Sequence, residues 1–325
     1  MKAENILQKI IIDTDAGHDD VLALMLLAKS ERLDILGITT VAGNSTIENN
    51  TRNTAFTLDL LQKRNIQIFS GKRKPLKRKL ITAVVHGKSG LDGIDTSNTN
   101  YKLTDNAHRK ISELVRSNPH QVTILTLGPL TNIARAFIAD PELPALIKSL
   151  VIMGGAINVC GNKNRVAEFN MYVDPEAADI VFRSKVKKVL IPLDPCNEII
   201  LTNSDFKKLK KSDLYIPIRN MMRQFIKGIE KHEGVKGALV YDAIAAYYLI
   251  NPFIFRCKPM DIVIETKGEH TSGMTVVEIR KKEMKNHNIN VVTKLNKRLF
   301  LNDFIRILNS ESLIKTKAHR DIIHI

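Results

Sequence analysis

Lys9-Ile10-Ile11-Ile12-Asp13-Thr14-Asp15-Ala16-Gly17-His18-Asp19-Asp20-Val21-Leu22-Ala23-Leu24-Met25-Leu26-Leu27 places four aspartates within eight residues, between two apolar runs. It reads as a strand, a tight acidic turn and a helix. Carboxylates crowded at a strand end repel and raise one another's pKa unless a hard cation or strong donors compensate. A divalent metal site is the inference. The crevice beyond the carboxyl ends of strands is where open α/β sheets bind ligands, and Gly17 allows a close turn there. The plainer reading has Asp19 and Asp20 capping the helix and Asp13 and Asp15 solvated in the turn. It explains one or two acids better than four.

Outward from this stretch, strands are expected at 34–41, 66–69, 121–127, 148–153 and 186–193, and helices at 49–63, 132–138 and 175–182. Thr131 is the expected N-cap of the second of these helices. Asp174-Pro175-Glu176 supplies an N-cap acid, a proline at the first helical position and a first-turn acid for the third. The stretch 86–93 reads as an exposed Gly-rich loop. Residues 205–230 are expected to be largely helical, 241–249 an apolar helix, 260–265, 274–280 and 289–293 late strands, and 297–308 a last helix. This alternation predicts a single α/β domain over 1–325: an open, Rossmann-like, mostly parallel sheet with helices on both faces and a peripheral tail from about 311.

The chain has 325 residues, 44% of them hydrophobic, enough for a large core. No apolar stretch has bilayer length, and MKAENILQKI lacks the apolar segment of a signal peptide, so a cytoplasmic protein is expected. Cys160, Cys196 and Cys257 are widely spaced and form no zinc or disulfide pattern. The net charge is +15, densest at 72–79, but that tract has no aromatic residue and the chain has no Trp. A solvated basic surface is expected there and at 207–211 and 281–285, not a nucleic-acid site.

Polar residues gather where strands end: Asp13 to Asp20, Asn44, the Leu127 turn, Asn162 to Asn170, and Asp242. Asp15, Asp20 and Asp242 with a backbone carbonyl would make an all-oxygen cage that suits Ca²⁺ better than Zn²⁺. Nearby amides and Glu168 would suit a hydroxyl-rich ligand.

The ordered series Asp13-Thr14-Asp15-Ala16-Gly17-His18-Asp19-Asp20, Val41-Ala42-Gly43-Asn44, His86-Gly87 with Gly90-Leu91, Gly128-Pro129-Leu130-Thr131-Asn132, Met153-Gly154-Gly155, Ala167-Glu168-Phe169-Asn170 with Asp174-Pro175-Glu176-Ala177-Ala178, and Gly273-Met274-Thr275-Val276-Val277 resembles the inosine-uridine preferring nucleoside hydrolase family. The resemblance implies a Ca²⁺-dependent N-ribohydrolase that releases base and ribose from a nucleoside, acts in purine or pyrimidine salvage and forms a homodimer or homotetramer. It implies Asp15, Asp20, Asp242 and the Leu127 main-chain carbonyl as metal ligands, with Asp15 also the base on the attacking water. Asp19, Asn44, Asn162, Glu168 and Asn170 match ribose-holding positions, His86 a position near the nucleobase, and Asp13 a brace for the acidic loop.

The chain departs from the family at Tyr241, where inosine-uridine preferring members place a His thought to protonate the leaving base. Tyrosine is a weaker acid at neutral pH than imidazolium. One reading has Tyr241 stacking on or hydrogen-bonding the base, with purines as candidate substrates; another has it only packing beside Tyr247 and Tyr248. The alternative function is a catalytically weak or inactive ribosyl-binding relative. Ala16 stands for the usual Pro, His18 is read as a solvated turn histidine with a base contact as the alternative, and Asp194-Pro195-Cys196-Asn197 differs from the usual Asp-Val-Thr, with Cys196 read as a small buried residue. A haloacid-dehalogenase-like phosphatase also begins Asp-x-Asp after a strand, but Gly17 and the pair Asp19-Asp20 do not suit that scheme.

Overall fold

Side-chain alternation fixes the place of the first strand, β1 (Gln8–Thr14): Ile10 and Ile12 enter one apolar core and Ile11 the other. A strand covered on both faces requires this. The computed structural model describes residues 7–280 and 287–310; the lysines at 281–285 and the tail from 311 lie outside them. The further strands are β2 (Leu33–Thr40), β3 (Ile68–Ser70), β4 (Thr123–Thr126), β5 (Ser149–Met153), β6 (Lys188–Ile191), β7 (Ile200–Leu201), β8 (Ala238–Leu239), β9 (Phe255–Met260), β10 (Ile262–Ile264), β11 (Thr275–Val277) and β12 (Ile289–Leu295).

Eight of these strands form one sheet in the order β3-β2-β1-β4-β5-β6-β12-β9. Every pair in it is parallel except β12 with β9. β2 and β3 grow to one side of β1 and β4 to β6 to the other. The chain therefore switches direction between β1 and β4, and the carboxyl ends of these two strands open onto a crevice. β7–β8 and β10–β11 are separate antiparallel pairs. The single mostly parallel α/β domain expected from the sequence is the one observed.

Helix His18–Ala28 is buried from His18 to Leu27, and it packs against helix Tyr241–Ile250, which is also mostly buried. Helices that are apolar all round belong inside. Their contact draws Asp242, in the first turn of one, toward Asp19 and Asp20 in the first turn of the other. Among the described residues, no helix is long and apolar enough to cross a membrane.

Several expectations need correction. Thr131 does not cap its helix: it is the first helical residue, and its hydroxyl donates to Asp174 Oδ2 at 2.6 Å, tying two helix starts together. The stretch 205–230 is two helices, Asn203–Lys207 and Tyr215–Glu233, separated by a turn around Ser212. The strand expected over 260–265 is shared between β9 and β10. Helix Ala107–Arg116 is additional; only Ala107, Ile111 and Val115 are buried, a narrow stripe in a mostly charged segment. The stretch 86–93 is not simply exposed, because Leu91 is in the core and His86 is buried. The basic tract is also partly neutralised: Arg73 pairs with Glu48, Lys72 with Asp105, and Arg78 makes a two-pronged pair with Glu176.

Leu24, 1% exposed in the central helix, and Phe253, 92% exposed, test this packing from opposite sides. Leu24→Ala should lower the unfolding free energy by about 2–5 kcal/mol in urea melts, whereas Phe253→Ala should stay within about 0.5 kcal/mol.

Candidate active site

The acidic loop leaves β1 with each carboxylate already engaged. Asp13 Oδ1 accepts from Thr39 Oγ1 at 2.5 Å and Asn132 Nδ2 at 2.8 Å, while its Oδ2 is buried without a partner. Asp15 Oδ2 accepts the Asn44 backbone N–H at 2.6 Å, and its Oδ1 is also buried without a partner. Asp20 accepts from Thr14 Oγ1 at 2.5 Å, Gly17 N at 2.9 Å and Asn44 Nδ2 at 3.0 Å. Gly43 and Gly128 sit so close to Asp15 that a Cβ at either would collide with its carboxylate. The glycines of two motif segments are there to let other strand ends close over Asp15.

The electrostatic cost is visible in the protonation equilibria. Burial, with Thr39 and Asn132 opposing it, pushes Asp13 up to about 7. Burial and the neighbouring Asp20 push Asp19 up to about 8. Asp15 and Asp242 are raised well above the usual carboxylate range, chiefly by burial and then by the surrounding aspartates. Carboxylate oxygens of Asp19, Asp20 and Asp242 all lie within 4.8 Å of one another. An all-oxygen, acidic, desolvated set with an orphaned Asp15 Oδ1 fits a hard divalent cation and can hold a metal ion. The structure thus draws Asp19, assigned from the family pattern to the ribose, into the carboxylate group.

Beside this cluster opens a cavity of about 250 Å³. Its wall carries Asp19, Asn44, His86, Leu127, Asn162, Glu168, Asn170, Tyr241 and Asp242, with Asp15 and Asp20 fully buried beside it. Glu168 caps helix Phe169–Val173 and accepts from Asn170 N, Met171 N and Gly155 N at 2.9, 3.2 and 3.1 Å. Burial outweighs these donors and pushes it up to about 6. Asn170 Nδ2 donates to the Leu127 carbonyl at 2.7 Å. Asn162 Oδ1 accepts from Phe169 N at 2.9 Å, which holds its loop over the same wall.

Most of the rest of the wall comes from within 75–100 and 212–240, the least family-like segments of the sequence, in which no single residue is marked out by its pattern. Phe225, Ile229, His232 and Glu233 come from one face of helix Tyr215–Glu233, and Val84 and Val85 from the loop before His86. Their spacing of four and three to four residues was visible but merged with an ordinary amphipathic pattern. Helix Ile47–Leu60 is a further organiser of the site. Its Asn53 Nδ2 donates to Ala16 O and Ser89 O, both at 3.1 Å, and its Asn50 Nδ2 to Val41 O at 2.8 Å. One helix face thus ties the acidic loop to the Gly-rich loop that carries His86.

His18 is buried, not solvated. It forms a three-ring stack with His86 and Phe225, with centroids 4.9–5.3 Å apart, and its Nε2 donates to the Asp92 carbonyl at 2.9 Å. Burial lowers His18 to about 4 and, with the His18 ring, holds His86 well below its usual value. Both rings are neutral at pH 7, so His86 Nε2 and Asp19 Oδ1, 4.0 Å apart, are not an ion pair. Tyr241 faces the cavity and donates its hydroxyl to Asn197 Oδ1 at 2.9 Å, while Tyr247 and Tyr248 pack on Phe255 and Phe300. The segment 194–197 gains a role: Asn197 holds Tyr241, and Asp194 accepts from Ile157 N and Asn158 N at 2.9 and 2.7 Å. Cys196 is buried, as expected.

Asn132 Nδ2 supports both Asp13 Oδ1 and the Thr40 carbonyl, at 2.8 and 2.9 Å. Asn132→Ala removes one of the two donors from each of these buried acceptors, leaving Thr39 on Asp13 and the Gly71 N–H on the Thr40 carbonyl, and should cost about 1–3 kcal/mol of unfolding free energy, measured by denaturant titration.

A family model described as inosine-uridine preferring nucleoside hydrolase matches residues 10–302. The pyrimidine-specific ribonucleoside hydrolase RihA of Salmonella paratyphi C is 39% identical over 276 residues, 83% of this chain and 88% of that protein. Among solved structures, a plant nucleoside hydrolase superposes with a TM-score of 0.88 at 26% identity, over 94% of this chain and 99% of the other. A purine-preferring ribonucleoside hydrolase from Gardnerella vaginalis gives 0.86 at 27%, over 93% and 98%. With the motif order, the sheet and the site all agreeing, the chain belongs to the inosine-uridine preferring nucleoside hydrolase family and is an N-glycosyl hydrolase acting on ribonucleosides.

Proposed function

We propose that the enzyme is Ca²⁺-dependent and that Asp15, Asp20, Asp242 and the Leu127 carbonyl hold the ion. The observation that carries this is a buried Asp15 oxygen without a partner, beside three carboxylates within 4.8 Å of one another, at the floor of a polar cavity. The Leu127 carbonyl accepts from Asn170 and keeps a second lone pair. When bound, the ion supplies positive charge for the ribose hydroxyls and acidifies a water. Asp15 takes a proton from the water that attacks the sugar carbon. Asp19, Asn44, Asn162, Glu168 and Asn170 orient the ribose hydroxyls, and the carboxylates stabilise the oxocarbenium-like sugar as the bond to the base breaks. Asp13 braces the loop.

Pyrimidine ribonucleosides are the proposed substrates, because the 39% identical relative carries that specificity in its name. Tyr241, for which one sequence reading made purines the candidates, has its hydroxyl engaged by Asn197 and lines the cavity without a contact that favours either base class. His86 flanks the base. A cytoplasmic salvage role and a homodimer or homotetramer complete the proposal.

The first test is release of base and ribose from uridine, cytidine, inosine, adenosine and guanosine by purified protein with Ca²⁺. Turnover by wild type and a loss of at least about 10³-fold in Asp15→Asn are expected, with kcat/KM at least about tenfold higher for uridine than inosine. Ligand binding without turnover would favour the ribosyl-binding alternative that Tyr241 suggested.

Metal removal should reveal the carboxylate cost. Asp13 at about 7 and Asp19 at about 8 stand above the ordinary value near 4, so the folded, metal-free protein binds protons more tightly than the unfolded chain. The stability tied to these protons is present below about pH 4 and lost as pH rises through 7 to 8. In chelator, Tm should therefore fall between pH 5 and pH 8, and the gain on adding Ca²⁺ should be larger at pH 8. Equal Tm gains at both pH values in a thermal melt would contradict this.

A further inference from the structure

Breaking a bond to a nucleobase leaves a negative charge on the base unless a proton arrives with the electron pair, so some group at the base end of the cavity must donate. Most ionisable groups on that wall are committed elsewhere. Asp19 and Asp242 belong to the carboxylate cluster, Glu168 accepts three backbone N–H groups, and Tyr241 donates its hydroxyl to Asn197. His86 Nδ1 faces the His18 backbone N–H and the His18 ring, at 3.2 and 3.1 Å.

Glu233 remains. It is the last residue of helix Tyr215–Glu233, one turn beyond Ile229 and two beyond Phe225 on the same face, and it lines the cavity with Tyr241. Among the described residues no hydrogen-bond donor or cation engages its carboxyl. A carboxylate at a helix C-terminus lies against the negative end of the dipole, which favours the protonated acid. Burial acts in the same direction and raises its pKa.

We propose that Glu233 is the general acid that protonates the departing nucleobase, in place of the donor that the family pattern puts at the position of Tyr241. The inference rests on the hydrolase reading above. As the bond between the sugar carbon and the base nitrogen breaks, its electron pair passes to the base and the Glu233 carboxyl gives the base its proton. The water oxygen joins the sugar carbon, and its proton goes to Asp15. Solvent returns that proton to Glu233, so that nucleoside and water become ribose and neutral base. Phe225 and Ile229 supply an apolar wall for the base, which keeps competing water away from the transfer.

The test compares Glu233→Gln and His232→Ala with wild type on uridine, inosine and p-nitrophenyl ribofuranoside, whose leaving group departs as a stable anion. Glu233→Gln should lower kcat on the nucleosides about 10²–10⁴-fold and on the nitrophenyl riboside less than about threefold. Retained nitrophenyl riboside turnover shows at the same time that the variant is folded. An equal loss on both substrate types, no loss on either, or a selective nucleoside loss in His232→Ala instead would overturn the assignment. Wild type inactive on every riboside would overturn the hydrolase reading itself, a result distinct from all of these.

Discussion

Everything near the crevice is arranged around aspartates held away from water at the point where the sheet changes direction. Asp13, Asp15, Asp20 and Asp242 are nearly or fully buried, and mutual repulsion adds to the cost of desolvating them. Each protein donor offsets part of that cost: Thr39 and Asn132 for Asp13, the Asn44 N–H for Asp15, Thr14, Gly17 and Asn44 for Asp20. The start of helix His18–Ala28 contributes its positive dipole end. The offset is incomplete, since one oxygen each of Asp13 and Asp15 has no partner. A fold that keeps such a residue of unbalanced charge holds a site poised for a cation or for positive charge developing on a ligand.

This constraint explains why so much of the surroundings is glycine and small amide. Strand ends must approach Asp15 closely, which Gly43 and Gly128 permit. Amides can give and accept at once, so Asn44 serves Asp15 through its backbone and Asp20 through its side chain, and Asn132 joins β1 to β2. The polar face of helix Ile47–Leu60 would be out of place in an ordinary core. Here it hydrogen-bonds loop carbonyls that no sheet partner reaches.

The sheet and the carboxylate side of the cavity were legible because their signals are local. Strand β1, the acidic turn and the buried helix follow within 20 residues, and Glu168 with Asn170 forms a helix start whose capping chemistry is written in order. The opposite side of the cavity was less legible because it is assembled across the chain. His18, His86 and Phe225 stack from three separate segments, and no periodicity in any of them announces the meeting. The same holds for Asn197 and Tyr241, 44 residues apart in sequence. Helix Ala107–Arg116 is hard to read for a different reason: three buried residues suffice to anchor it, and its charged face hides the stripe.

The two halves of the cavity therefore obey different rules. The carboxylate half is fixed by rigid strand ends and two buried helices, where a change of one residue disturbs packing, charge balance and hydrogen bonds together. The other half is lined by one face of helix Tyr215–Glu233 and by the loop that docks on it at Gly228, where a Cβ would run into the Val85 backbone. Phe225 and Ile229 of this half are buried, but Val84 and His232 meet solvent outside the carboxylate cluster and can be exchanged without unbalancing the aspartates. A Tyr in place of a His before Asp242 is tolerable in such a design. The carboxylates and amides keep their geometry whichever side chain precedes Asp242, while the solvent-facing positions of the other half are the ones that the fold leaves free to vary.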